Sequence, residues 1–344
     1  HIGPSGPSPT VFETWRSRDE LTALVTAGEV TASDWDKDAP LPAECGSAPT
    51  LPVLRATSKV SREAFGGLPP GASDASGGPI VDQNRNVVLI DTRFNRVIWD
   101  VLIARGVGRG VGATEAASFP HAGVEAGRGE GAIAVQSAWM QLDPAQPVEG
   151  AMHTRDVLLF QPGTEEREAV CDRALVGLLG VQISHKLPDG NWAFTVFEYD
   201  GAVPDDASVP YPLGGPGCDS ATPAICAAAQ RGQPAPATDC CPNHDHNGAL
   251  GVADRLLAPR QPTILTRVDP VGGDPSCNDA YRAALSGGPW GRMRHIGTQY
   301  IQEGDDGPES TPKTLRSPLF EPFLVAWVDG VQTVYRPLDA CAKK

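Results

Sequence analysis

Three groups of residues in this chain have types and spacings that chemistry can use. The first is His185-Lys186, with Glu198 on a segment that folds back beside them. An imidazole near a carboxylate can act as a general base, and a desolvated lysine can act as a nucleophile. This is the pattern of an atypical hydrolase. The plainer alternative is a cross-strand charge pair on a hairpin. The second group is Cys240-Cys241-Pro242-Asn243-His244-Asp245-His246. On an extended segment His244 and His246 point the same way, with Asp245 between them, and imidazole and thiolate donors suit zinc or copper. Disulfide formation would consume the thiolates and leave a polar, cysteine-pinned loop. The third is His1, whose α-amine and imidazole would chelate copper in a tetragonal arrangement. The second imidazole would come from His121, His153, His185 or His295. Copper or another divalent metal is therefore the cofactor expected of a metal-dependent oxidoreductase here.

Other catalytic signatures are missing. The sequence has no Gly-x-Ser-x-Gly elbow and no His-Glu-x-x-His helix. Gly106-Val107-Gly108-Arg109-Gly110-Val111-Gly112 follows a helical pattern rather than a strand and precedes no Lys-Ser/Thr, so it reads as a loop and not a phosphate cradle. Asp82-Gln83-Asn84-Arg85-Asn86 lacks the glycine and glutamate of an EF-hand and reads as an Asx-type turn. Asp205-Asp206 and Asp305-Asp306 read as solvated turns with at most weak calcium affinity.

The elements that must carry these residues are mostly strands. Ser17-Arg18-Asp19-Glu20 is a capping box ahead of Leu21, Leu24 and Val25, so a short helix is expected there. A hairpin is expected over 79–90. Phe94, Val97, Ile98, Val101 and Leu102 form a helical stripe that stops at Gly106. Strands are expected at 132–142, 157–160, 263–268 and 292–301, with a helix at 276–285. The segments 176–185 and 192–199 should pair around Pro188-Asp189-Gly190-Asn191, a good turn sequence. A last hairpin at 323–335 turns on Asp329-Gly330. So many strands without an alternating βα rhythm predict a β-rich fold of two packed, mostly antiparallel sheets with a few short helices and long pinned loops. Residues 1–54 read as an N-terminal arm with a short helix. Residues 55–344 read as one β-rich domain with a Cys/Pro-rich insertion at about 201–247.

Composition narrows the partners. The 344 residues include 38 Gly and 33 Pro, which excludes coiled coils and helical arrays. The 42 acidic residues against 28 basic ones give a formal charge of −14, which disfavours nucleic acid. No apolar run is long enough for a membrane helix. The eight cysteines are Cys45, Cys171, Cys218, Cys226, Cys240, Cys241, Cys277 and Cys341, with no Cys-x-x-Cys among them. Their even number predicts up to four disulfides and an oxidising compartment, so the protein is expected to be secreted or periplasmic. Their pairing stays open, except that adjacent Cys240 and Cys241 should take different partners. The start His1-Ile2-Gly3-Pro4 has no basic, apolar leader, as expected of a mature form.

Five segments together resemble an uncharacterised family of exported bacterial proteins. They are Pro79 to Asn86, Ala132 to Trp139, Ile183 to Lys186, Trp192 to Tyr199 and Gly297 to Tyr300. The resemblance runs over about 75–305 and implies export and a shared β core. Family members often carry a C-terminal c-type haem motif. This chain has no Cys-x-x-Cys-His, so no covalent haem is expected, and Ser184 and Tyr199 stand where the family pattern has further histidines. His1 alone resembles the histidine brace of lytic polysaccharide monooxygenases. The leading expectation is an exported, disulfide-stabilised binding or surface-assembly protein whose ligand or protein partner the sequence does not name. The oxidoreductase and hydrolase readings are its alternatives.

Overall fold

The Ser17 side chain accepts a hydrogen bond from the Glu20 amide (3.0 Å), and Glu20 reaches back to the Ser17 amide (2.6 Å). Two of the orphan donors at a helix start are satisfied this way, and helix α1 (Arg18–Ala27) follows. Gly28 ends it, with φ of 154° and its amide bonded to the Leu24 and Val25 carbonyls. The computed structural model describes residues 10–46, 51–55, 82, 86, 88–107, 119–123, 129–143, 152–161, 168–189, 192–200, 202–203, 275–286 and 288–301. The strands expected at 263–268 and 323–335 and the insertion at 201–247 lie essentially outside these residues.

Eight strands are described: β1 (Arg16–Ser17), β2 (Val53–Arg55), β3 (Leu89–Phe94), β4 (Ile133–Leu142), β5 (Thr154–Gln161), β6 (Val170–Lys186), β7 (Trp192–Tyr199) and β8 (Met293–Ile301). They form one sheet in the order β1-β3-β4-β6-β5-β2, with β7 and β8 continuing from β6. All pairings are antiparallel except β2 with β5. The long strand β6 organises the sheet. One edge pairs with β4 from Leu175 to His185. The other is shared, with β5 on Val170 to Gly177 and β7 on Gly180 to Lys186. A register shift at Ala138/Trp139, where Leu179 is the extra residue on β6, marks the fork. Such a bulge bends a strand and increases its twist. The described strands therefore make one forked, curled sheet where two stacked layers were expected.

Several elements fall where the sequence places them. The 176–199 hairpin is β6 and β7, and the 79–90 turn is closed by Asp82 and Asn86. The Asp82 amide donates to the Asn86 carbonyl, and Asn86 donates back to Asp82 Oδ1, both at 2.8 Å. The expected stripe from Phe94 divides. Phe94 ends β3, and α2 (Arg96–Ala104) begins after Asn95, which caps it through the Ile98 amide. Within the stretch 1–54, β1 and β2 pair with strands of the sheet and α1 packs on it.

One sheet face near the β3–β4 end is covered by α1 and α2. Leu21, Leu24, Val97, Ile98 and Trp99 close there on Phe94 and Ala132. Burying Trp99 completely is worth about 3 kcal/mol before entropy is counted. The larger core holds Leu89, Trp139, Leu178, Leu179, Val196 and Ile296. Helix α3 (Pro275–Ala284) docks on β8 through Asn278, whose side chain bonds both the amide and the carbonyl of His295 (2.6 and 3.0 Å). The β7–β8 register slips at Val196/Phe197, and Asn278 supplies partners where that irregularity interrupts the ladder. Cys45 and Cys171 form a disulfide. The side chains of the other six cysteines lie outside the described residues.

Candidate functional site

The register separates the three residues of the hydrolase pattern. On β6 and β7, His185 faces Ala193, Lys186 faces Trp192, and Glu198 faces Gly180. Glu198 is therefore about five residues from His185 along the ladder, roughly 16 Å at strand rise, and not across from it. Neighbouring strand residues also point to opposite faces, which parts His185 from Lys186. His185 uses Nε2 on the Glu130 carbonyl (2.7 Å). Lys186 is 1% exposed with its ammonium 5.5 Å from the Trp192 ring centroid, and Glu198 is also 1% exposed. The expected cross-hairpin His–carboxylate contact is thus corrected: both strands are right, and the pairing offset keeps the groups apart.

His1, His244, Asp245 and His246 lie outside the described residues. Of the histidines considered as copper partners, His121 approaches the Ala122 carbonyl through Nδ1 (3.3 Å), and His295 contacts Thr298 Oγ1 through Nε2 (3.0 Å). Burial pushes the His295 pKa below its ordinary value, with the Gly297 backbone opposing. No group of three or more His, Cys, Asp or Glu among the described residues is arranged to hold a metal.

The structure assembles a different polar site at the N-terminal end of the chain. Thr10 opens a 3-10 turn, Val11–Thr14, and Glu13 closes a second capping box on it. The Thr10 amide and hydroxyl donate to Glu13 Oε2 at 2.6 and 2.9 Å. His153 Nε2 reaches the same oxygen at 3.2 Å, and Arg155 Nη1 donates to Oε1 at 2.6 Å. The Glu13 side chain is 2% exposed. Burial raises its pKa, but the His153 and Thr10 hydrogen bonds and the Arg155 and His153 charges overcome that. The result is about 2 against an ordinary 4.5. Arg93 completes the cluster. Its Nε bonds Asp91 at 2.6 Å, and its Nη1 donates to the Glu13 and Trp15 carbonyls at 2.8 Å each. Register explains the convergence, since Asp91 pairs with Ser137, Arg93 with Val135 and Arg155 with Val176, all on one face.

A cleft of about 1140 Å³ opens beside this cluster, with Glu13, Asp91 and Arg93 in its lining. Residues of β1, α1 and the Trp35–Gly46 stretch form its walls, and Leu51 to Leu54 a further side. Six carboxylates (Glu13, Asp19, Glu20, Asp36, Asp38 and Asp91) line it against the guanidinium groups of Arg16 and Arg93. Both arginines are engaged. Arg93 is held as above, and Arg16 donates to the Trp35 and Lys37 carbonyls. Trp15 and Trp35 add aromatic surface.

The sequence reading missed this site. Its signals were Thr10-x-x-Glu13, a capping box in a segment read as an arm, and two alternations, Asp91-x-Arg93 and His153-x-Arg155. Charged residues at alternate positions on strands with buried neighbours mark an inward-facing polar cluster. Comparison with protein-family models, curated proteins and solved structures finds no match to the chain. No helix among the described residues is long and apolar enough to cross a membrane.

Proposed function

We propose that this is an exported, disulfide-stabilised β-rich binding protein that takes a small, positively charged ligand in the cleft between its N-terminal segment and its sheet. The carrying observation is the cleft's charge. Of the six carboxylates lining it, Glu13, Asp19, Glu20 and Asp91 already meet arginines of the protein, which leaves Asp36 and Asp38 as its uncompensated negative charge. Its volume of about 1140 Å³ lies just above the usual range for small-molecule sites, about 300–1,000 Å³. Asp36 and Asp38 are exposed and make no ion pair among the described residues, so an arriving cation displaces no internal partner. A cation near the Trp15 or Trp35 ring would gain further attraction from the ring face. The Cys45–Cys171 disulfide supports an extracytoplasmic location, as does the resemblance to exported proteins. A second packed sheet belongs to the same proposal, its expected strands lying beyond the described residues.

The test is thermal denaturation with spermidine, succinate and maltose as probes. A ligand at about 100 times its Kd adds about 2.7 kcal/mol to stability. Spermidine should raise Tm saturably and succinate and maltose should not, and Asp36→Asn with Asp38→Asn should weaken the spermidine effect at least tenfold. Equal responses to all three probes, or a spermidine response untouched by the two substitutions, would remove the cleft from the proposal.

A further inference from the structure

We infer that the Cys45–Cys171 disulfide is a redox clasp on this cleft, closing one wall when oxidised and releasing it when reduced. The inference rests on the cleft being a binding site. It starts from what holds the wall. Asp36, Asp38, Leu41, Pro42 and Gly46 line the cleft from one stretch of chain. Hydrogen-bonded attachment of that stretch ends at Lys37, whose carbonyl, like that of Trp35, accepts from Arg16. From Asp38 to Gly46 the only backbone hydrogen bonds among the described residues are internal, Cys45 to the Pro42 carbonyl (2.9 Å) and Gly46 to the Ala43 carbonyl (3.1 Å). Ala39 packs against the smaller core, and Leu41 is exposed. Among the described residues the bridge from Cys45 is therefore the one covalent tie between this wall and the sheet, against which the 43–45 turn also packs.

Its other end is anchored differently. Cys171 sits in β6 opposite Phe160 of β5, inside a continuous antiparallel ladder. Breaking the bridge leaves Cys171 where it is and frees Cys45. The two cysteines are 126 residues apart in sequence, and among the described residues the next backbone tie of the Cys45 wall to the sheet comes at Pro52, where β2 begins to pair with β5. Both residues are half-buried, so the bridge does not lie in the sealed core.

The chemistry is thiol–disulfide exchange with a dithiol, the class of reductant used by extracytoplasmic oxidoreductases. A thiolate of the dithiol attacks one sulfur of the bridge, forming a mixed disulfide and expelling the other cysteine as a thiolate, which takes up a proton. The second thiol of the reductant, losing its proton, then attacks the mixed disulfide and releases the remaining cysteine. Two electrons and two protons pass from the dithiol to Cys45 and Cys171, and the dithiol ends as a disulfide. Oxidation by a disulfide of the same class reverses the step and closes the wall.

Glutamyl endopeptidase tests the clasp without any ligand, because Glu44 is exposed beside Cys45. In Cys45→Ser/Cys171→Ser, cleavage after Glu44 should accelerate at least tenfold, with cleavage elsewhere no faster. Unchanged cleavage at Glu44, or acceleration at every site together, would show an ordinary structural bridge and overturn the inference. Wild-type protein under limiting dithiothreitol, alkylated and mapped, keeps the idea testable if the double variant does not fold. Cys45 and Cys171 should be labelled before the other cysteines, and labelling them last would sink the clasp. Spermidine binding separates the two proposals. If Glu44 is released but spermidine never binds, the clasp stands and the ligand reading fails. If spermidine binds equally to oxidised protein and to the variant, the cleft stands and its redox control fails.

Discussion

The Glu13 carboxylate and the Arg155 guanidinium meet at 2.6 Å across 142 residues of sequence. With the His153 contact, this bond pins the N-terminal turn to strand β5 and fixes one end of the cleft. Deleting the carboxylate strands a guanidinium and a buried imidazole, and breaking buried pairs in this way costs several kcal/mol. Arg155 keeps some solvent access, which reduces the penalty. Glu13→Ala should therefore lower unfolding stability by about 3 kcal/mol in urea titrations. A double-mutant cycle with Arg155→Ala should show coupling of at least about 1 kcal/mol. Additive losses would mean the bond contributes little.

The same carboxylate sets an acid limit. Its pKa falls from 4.5 to about 2 on folding. A depressed carboxylate contributes stability that is fully present above the unfolded value and is lost as pH falls through the folded one. Between pH 5 and pH 2 the protein should lose up to about 3 kcal/mol through this group. Glu13→Gln should be less stable than wild type at pH 7, and the difference should shrink steadily towards pH 2. Parallel pH–stability curves for the two proteins would assign the acid limb elsewhere.

Asn95 joins two elements with one side chain. Its Oδ1 accepts from the Ile98 amide (3.3 Å), capping α2, and from the Ile133 amide (3.2 Å), at the start of β4. Its Nδ2 donates to the Gly131 carbonyl at 2.7 Å, and the residue is buried. Alanine at this position loses a cap and leaves buried backbone groups unsatisfied, which should cost about 2–4 kcal/mol. Asn95→Asp is the more informative change. Aspartate caps helices as well as asparagine, but it cannot donate to the Gly131 carbonyl. It should be destabilised nearly as much as alanine at pH 7 in chemical denaturation, and a near-neutral result would show that capping alone matters.

What could be read in advance follows from how local each signal is. The α1 capping box, the Asx turn at Asp82 and Asn86, and the β6–β7 hairpin each depend on a few adjacent residues, and each is present. The offset that parts Glu198 from His185 depends on pairing across two strands, which residue types at a strand end do not encode. The sheet forks because β6 gives one edge to both β5 and β7, a choice made by partners far apart in sequence. The Cys45–Cys171 pairing was one of many that eight cysteines allow, and only the docking of the 43–45 turn against β6 selects it. The cleft was hidden for a related reason. One of its walls is a Pro-rich stretch without periodicity, and Glu13, Asp91 and Arg93 in its lining are brought together only by strand register and by the Glu13–Arg155 bond.

Gly131 gives the sharpest contrast for a backbone prediction. It has φ of 70°, a left-handed conformation that costs a side-chain-bearing residue about 1–2 kcal/mol. A Cβ built on it would also lie 2.3 Å from the Ala122 nitrogen and 2.6 Å from the His121 carbonyl carbon, both backbone atoms that no rotamer change can move. The close approach has a purpose. It lets the Ala132 amide reach the Pro120 carbonyl (2.8 Å) and presents the Gly131 carbonyl to Asn95. Two residues earlier, Gly129 has nothing within 4 Å of the same virtual atom and no positive φ. Gly131→Ala should thus lose at least about 3 kcal/mol, strain and overpacking together, while Gly129→Ala stays within about 0.5 kcal/mol of wild type. Urea midpoints of the two variants decide the matter, and comparable losses at both positions would show that the 119–123 segment does not pack against Gly131 in solution.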